Sequence, residues 1–254
     1  MKQKSSATSA LQYLVSFFFL ILLFSFSYIP NTKASEPMLF SASVGMPFTN
    51  SENTGFEDRL VKEIFKRLGR DVKVQFVPAE RALQNLDQGI DDGALGRVAG
   101  ILTKYKNIRQ IKEVAFVRDF VVFTKKPGLK ITGWSSLEGF NVGYITGWKI
   151  VERNVSNAKS IVKVKDGKQL FNLLESNRAD VVVYNRWGGL HLVKELGFKD
   201  IHIAEPPLAQ APHYFNLSIK HEEMVEPARN ALIEMKKDGT YQRIFDETLA
   251  PLAN

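Results

Sequence analysis

The sequence predicts an α/β fold made of two similar lobes, each a mainly parallel sheet flanked by helices, joined by two strands that act as a hinge. Three observations carry this. Beyond residue 35, apolar residues switch repeatedly between strand-like alternation and helical spacing. Glycine and proline stand at the switches: Gly69, Pro78, Gly89 and Gly197 each follow a periodic run. After the turn signal Pro127-Gly128 the same pattern begins again as a second α/β unit.

The elements follow in order. Residues 39–44 form a short apolar strand closed by Gly45-Met46-Pro47-Phe48. Phe56, Leu60, Ile64, Phe65 and Leu68 recur at helical spacing, and Gly69 stops that helix. Val72, Val74 and Phe76 alternate with polar residues until Pro78. Ala82, Leu83 and Leu86 give a second helical face, and Ala94-Leu95 a very short strand. The basic run KNIRQIK (106–112) reads as a solvated face. The apolar run 120–125 leads into the turn. Strands are expected at 140–144, 161–164 and 179–184, and helices at 148–153, 169–176 and 187–196. A strand at 201–204 precedes 205–212, which carries three prolines; another strand follows at 214–219. A long amphipathic helix spans 222–237, Asp238-Gly239-Thr240 interrupts it, and a short helix ends the fold at 241–249. Segments 120–125 and 211–215 are the expected crossings between lobes.

In such sheets ligands sit beyond the carboxyl ends of strands. The segments placed there are 45–48, 78–81, 96–99 and the loop after Val142.

Residues 1–34 read as a signal peptide. Lys2 and Lys4 are followed by no charge until Lys33, with FFFLILLF at the centre of the apolar run and a small-x-small site at Thr32-Lys33-Ala34. An uncleaved anchor is the other reading, because the run approaches spanning length. The whole chain carries a formal charge of +7; without Lys2, Lys4 and Lys33 there remain 31 basic and 27 acidic residues. That mild, dispersed excess predicts no nucleic-acid partner. With no cysteine there is neither a disulfide framework nor a lipid-anchor site. In a Gram-negative source the product is expected free in the periplasm.

Five segments carry a resemblance: GFEDRLVKEIFKRLG, LQNLDQGIDDGALG, LEGFNVGYITG, LFNLLESNRADVVVYN and MKKDGTYQRIFDE. In order, and over almost all of the chain beyond the leader, they are similar to the motifs of the family 3 extracellular solute-binding proteins, the polar amino-acid binding type of ABC importers. The resemblance implies the type II periplasmic binding protein fold. Lobe 1 would be residues 35–118 and 213–254, lobe 2 residues 119–212. It implies a monomer that captures a small solute, amino acid-like or another organic anion, in the interlobe cleft and hands it to an inner-membrane ABC permease, with no cofactor and no catalysis. Two positions depart from the family. Its T-x-x-R carboxylate clamp is absent, with Thr103-Lys104-Tyr105-Lys106 near its place, and the aspartate that pairs with an α-ammonium is Asn185. Both weaken the case for an ordinary α-amino acid.

The candidate ligand residues are Phe48, Glu80, Arg81, Arg97, Thr146, Gly147, Trp148, Tyr184 and Asn185. Arg97, just past a strand, offers a planar fork for a carboxylate; the alternative is a surface pair with Asp91 or Asp92. Glu80 and Arg81 open a helix, where Glu80 also suits the helix dipole and Arg81 opposes it. Thr146-Gly147-Trp148 opens another helix whose free N–H groups suit an anion; an ordinary N-cap turn is the alternative. Trp148 either stacks on the ligand or packs between lobes. Asn185, after Tyr184, suits a neutral polar group or simple turn chemistry. Phe48 is a cleft wall or a core residue, and Trp187 is expected to pack the following helix.

Metal chemistry finds no support, since His191, His202, His213 and His221 form no metal-ligand pair. One enzymatic alternative follows from relatives resembling cyclohexadienyl dehydratase, in which Glu80 would be a general acid with a pKa raised by burial. A sensory role, presenting a ligand to a membrane receptor, is the other alternative.

Overall fold

The computed structural model describes residues 36–253, so the expected signal peptide lies outside the described residues. Strand β1 (Met38–Ala42) pairs in parallel with β2 (Val72–Phe76) and β3 (Gly93–Val98). Helix α1 (Phe56–Arg67) crosses between β1 and β2 and buries Phe56, Leu60, Val61, Ile64 and Phe65. Its start is satisfied by its own chain: the Asp58 carboxylate accepts from the N–H groups of Gly55 at 3.0 Å and Asn50 at 3.1 Å. Helix α2 (Ala79–Asp87) follows Pro78 and turns Ala82 and Leu86 inward.

The second unit repeats the plan. Strand β6 (Asn141–Ile145) pairs in parallel with β7 (Ser160–Val164) and β8 (Val181–Asn185). Helices α3 (Lys149–Asn154), α4 (Gly167–Glu175) and α5 (Arg186–Glu195) connect and flank them. Two strands tie the units together, β5 (Phe116–Thr124) and β9 (His202–Ser218), which pair antiparallel over most of their length. The sheet order is β2-β1-β3-β9-β5-β8-β6-β7, with β4 (Ile108–Gln110) also on β9. Helices α6 (Val225–Lys237) and α7 (Thr240–Thr248) follow β9, and Gly239, with φ 81°, makes the expected break between them.

The apolar interior is divided. One core draws on residues before 117 and after 214, including Phe40, Phe56, Phe65, Phe116, Phe215 and Leu232. Two others draw on residues 120–211 and share β5 and β8. Phe116 belongs to the first core and Phe120 to the second, so β5 passes between them at 116–120, N-terminal to the expected 120–125. Strand β9 passes from the second core to the first between Ala211 and Phe215.

Three expectations are corrected. His202–Ser218 is one long strand rather than two separated by prolines. Pro206 and Pro207 fit because residues 205–208 fall in a break in the register with β5, and Pro212 because residues 209–212 pair only with β5, whereas β3 and β4 join from His213 onward. A one-sided stretch tolerates missing N–H donors. The run KNIRQIK is not simply a solvated face: Ile108 and Ile111 are buried and β4 lies within it. The helix expected at 222–237 begins as a 3₁₀ turn (Ile219–Met224) before α6. Among the described residues no helix is long and apolar enough to cross a membrane.

Candidate functional site

The first turn of α1, the end of β3 and the start of β5 bring three charged side chains into one buried place. Glu57 Oε1 accepts from Arg118 Nη2 at 2.9 Å, and both side chains are almost wholly enclosed. The N–H of Gly96 also donates to the Glu57 carboxylate. A Cβ on Gly96 would lie 2.7 Å from Glu57 Oε2, so this approach of strand to carboxylate requires glycine. Arg97, the next residue, donates from Nη1 to Ser43 Oγ at 2.5 Å. Its Nε and Nη2 are buried without a protein partner, as is Nε of Arg118.

Aromatic rings enclose this group. The guanidinium carbon of Arg118 lies 4.6 Å from the Phe48 ring centroid and 5.2 Å from that of Phe116. Phe48 and Phe116 stack at 5.9 Å, and His213 stacks on Phe116 at 5.1 Å. A cavity of about 260 Å³ is lined by Phe48 and Phe116 together with Phe56, Trp187, Tyr241 and Phe245.

The electrostatics follow from burial. Burial pushes the Glu57 carboxyl up to about 7 against the pull of Arg118 and then Arg97. Burial pulls Arg97 down to about 10, with repulsion from Arg118 adding to it and Glu57 opposing it. His213 falls to about 3, first through burial and then through Arg118, so it is neutral at physiological pH. Two guanidinium groups therefore face one carboxylate that is itself partly protonated near neutrality. The cluster carries an excess positive charge; Glu57 and Arg118 are buried and Arg97 partly so, and water screens it only weakly.

The sequence candidates divide. Phe48 is a core residue, only 1% exposed, yet it forms the wall behind Arg118. Arg97 does not pair with Asp91 or Asp92. Asp91 accepts from Ser41, Gln75 and Asn85, and Asp92 from the Leu39 N–H, Lys220 and His221. Tyr184 stacks on Trp148 at 4.7 Å and 18°. Burial raises the Tyr184 phenol to about 12, opposed by the charge of Arg118, which brings this residue of β8 within electrostatic reach of the cluster. Trp148 also meets Phe120 edge-on.

The other candidates are engaged by their own chain. The Gly147 N–H donates to Glu152 Oε1 at 2.9 Å and the Thr146 N–H to the Val164 carbonyl at 2.9 Å. Asn185 Oδ1 caps α5 by accepting from the Gly188 N–H at 2.8 Å. Glu80 is exposed and accepts from Lys104 Nζ at 2.6 Å and the Tyr105 hydroxyl at 2.7 Å. These hydrogen bonds hold its carboxyl below the usual range, the opposite of the burial-raised acid expected for catalysis. Lys104 and Tyr105 occupy the place where the family clamp is missing, and they face Glu80. Arg81 is exposed on α2. Trp187 does not simply pack its own helix; it meets Phe245 of α7 edge-on at 5.3 Å.

Sequence reasoning missed Glu57, Arg118, Ser43 and His213. Arg118 left a signal, as a lone cation inside the apolar strand AFVRDFVVF. Glu57 left none, since acids are ordinary in a first helical turn.

Comparison with known proteins gives one consistent answer. Residues 41–250 match the family model of the bacterial extracellular solute-binding proteins, family 3. An uncharacterized protein of Shewanella oneidensis is 25% identical over 246 residues, covering 90% of this chain and 92% of that one. The L-cystine-binding protein TcyA of Bacillus subtilis is 23% identical over 205 residues, 78% of this chain and 75% of that one. Among solved structures, the GluR0 ligand-binding core in complex with L-glutamate superposes with a TM-score of 0.73 at 9% identity. It covers 85% of this chain and 99% of that one, a likeness of fold alone. With the two tied cores, the parallel strand ends and a family match across the whole fold, the chain belongs to the bacterial extracellular solute-binding proteins, family 3.

Proposed function

We propose that this protein captures a small polar, anionic solute in a cleft between lobe 1 (35–118 with 213–254) and lobe 2 (119–212), and delivers it in the periplasm to an ABC-type importer. The single observation that carries the anion is Arg97. A buried guanidinium with two unpaired N–H groups, beside a second guanidinium and one half-neutralised acid, is stabilised by an added carboxylate. Strands β5 and β9 pass between the cores side by side, and bending there would close Trp148 and Tyr184 toward Arg97 and Arg118. Closure driven by ligand contacts gives the permease a state to read.

The test is thermal unfolding and calorimetry of the purified protein against amino acids, dicarboxylates, small peptides and sugars. A ligand at 100 times its Kd adds about 2.7 kcal/mol of stability, a rise in Tm of roughly 5–10 °C for a domain of this size. The expected outcome is a rise with one or more anions, abolished in Arg97→Ala. Neutral sugars raising Tm while every anion fails would refute the reading. The importer role is checked by whether the liganded protein stimulates ATP hydrolysis by a reconstituted ABC permease.

A further inference from the structure

The surroundings of Arg97 narrow the ligand further, and this inference rests on the anion reading above. An α-amino acid brings an ammonium group that needs an acid or a set of acceptors. The acids around the site are committed elsewhere. Glu57 holds Arg118 and the Gly96 N–H. Asp58 caps α1 through Oδ2, its Oδ1 being closed off from solvent without a partner, and Asp166 caps α4 through the Gln169 N–H. Asp119 holds Arg186 and Gln210, and Glu80 holds Lys104 and Tyr105. At the end of β8, Asn185 spends its oxygen on Gly188.

Apolar surface lies where the rest of a ligand would go. β1, β2 and β3 are adjacent and parallel, so their carboxyl ends share one edge of the sheet. Met46, Phe76 and Val98 lie at or just past those three ends and are 44%, 66% and 44% exposed. From the second unit, Trp148 and Tyr184 stack on one another, and Tyr184 lies within reach of the Arg118 charge. Large exposed apolar side chains gathered at one sheet edge mark a binding surface rather than chance exposure.

We propose that the ligand is a carboxylate borne on an apolar or aromatic body and lacking a free ammonium group. Arg97 takes the carboxylate through Nε and Nη2, and the body lies between the strand-end apolar residues and the Trp148–Tyr184 pair.

Calorimetry with 3-phenylpropanoate, L-phenylalanine and succinate tests this. The first two share carboxylate and ring and differ by the ammonium; the third is an anion without an apolar body. The expected result is that 3-phenylpropanoate binds at least tenfold more tightly than either. Arg97→Ala should abolish its binding, and Phe76→Ser, at an exposed position, should weaken it severalfold with Tm unchanged. L-phenylalanine binding as tightly as 3-phenylpropanoate overturns the inference, since the ammonium is then recognised. Arg97-dependent succinate binding that equals or exceeds that of 3-phenylpropanoate also overturns it, while leaving anion capture standing. If none of the three probes binds, this inference falls; anion capture falls with it only when every anion of the wider panel fails as well.

Discussion

The end of β3 and the end of β8 both place polar side chains at strand ends, yet they treat those groups differently. At β8, Asn185 caps the helix that follows it, and in the neighbouring loop after β6 the Gly147 N–H closes on Glu152. At β3, Arg97 makes one hydrogen bond and keeps two buried donors unpaired beside Arg118. A polar group satisfied by its own helix gains little from a ligand. A buried cation left short of acceptors gains a great deal. The difference teaches that position at a strand end marks a candidate, while hydrogen-bond satisfaction separates side chains held by their own chain from those left open to a partner.

Substitutions can break this contrast. The largest effect is expected from Arg118→Ala, which leaves Glu57 buried without its partner and costs about 3–5 kcal/mol of unfolding free energy at pH 8. The loss should shrink toward pH 5, because Glu57 is then protonated. Denaturant unfolding at both pH values checks this; an equal loss at both would remove Glu57 from the account. Arg97→Ala comes next. It should lower affinity for the anionic ligand at least about 100-fold, some 2.7 kcal/mol, without lowering the stability of the free protein. A free protein destabilised as much as by Arg118→Ala would make Arg97 a scaffold residue.

The pH dependence is smaller and has a definite sign. The folded-state pKa of Glu57, about 7, lies above its ordinary value, so the fold favours the protonated form. Its contribution to stability is greatest at low pH and is lost as pH rises through 7. An anion beside Arg97 and Arg118 raises that pKa further, so binding takes up a proton. Affinity should therefore strengthen from pH 8 to pH 6, by up to about tenfold per unit at most. His213, at about 3, stays neutral across this window. Glu57→Gln should flatten the profile measured by calorimetry. The smallest effect sharpens the comparison from the other side. Asn185→Ala should cost about 1 kcal/mol through the lost cap, and Asn185→Ser should restore most of it. Affinity that falls in Asn185→Ser despite restored stability would make the amide a ligand contact.

Much of this was legible in the sequence. The helical spacing of Phe56, Leu60, Ile64 and Phe65 and the alternation of Val72, Val74 and Phe76 each became the expected element, because burial of a single face leaves a periodic trace in residue order. The strand-end position of Arg97 was legible too, through Gly96 and the short apolar run before it. The long β9 was not. Its prolines read as a break, because the bulge that accommodates Pro206 and Pro207 and the one-sided pairing at Pro212 depend on which strands lie alongside.

The sequence by itself determined the family, the α/β plan and the position of Arg97, all of which rest on local periodicity and motif order. Only the tertiary structure decided that Glu57, Arg118 and His213 gather around Arg97, from positions up to 156 residues apart. It alone decided that Asn185, Gly147 and Glu80 are held by neighbours. Burial and hydrogen-bond satisfaction are properties of what surrounds a side chain, and residues distant in sequence supply most of those surroundings.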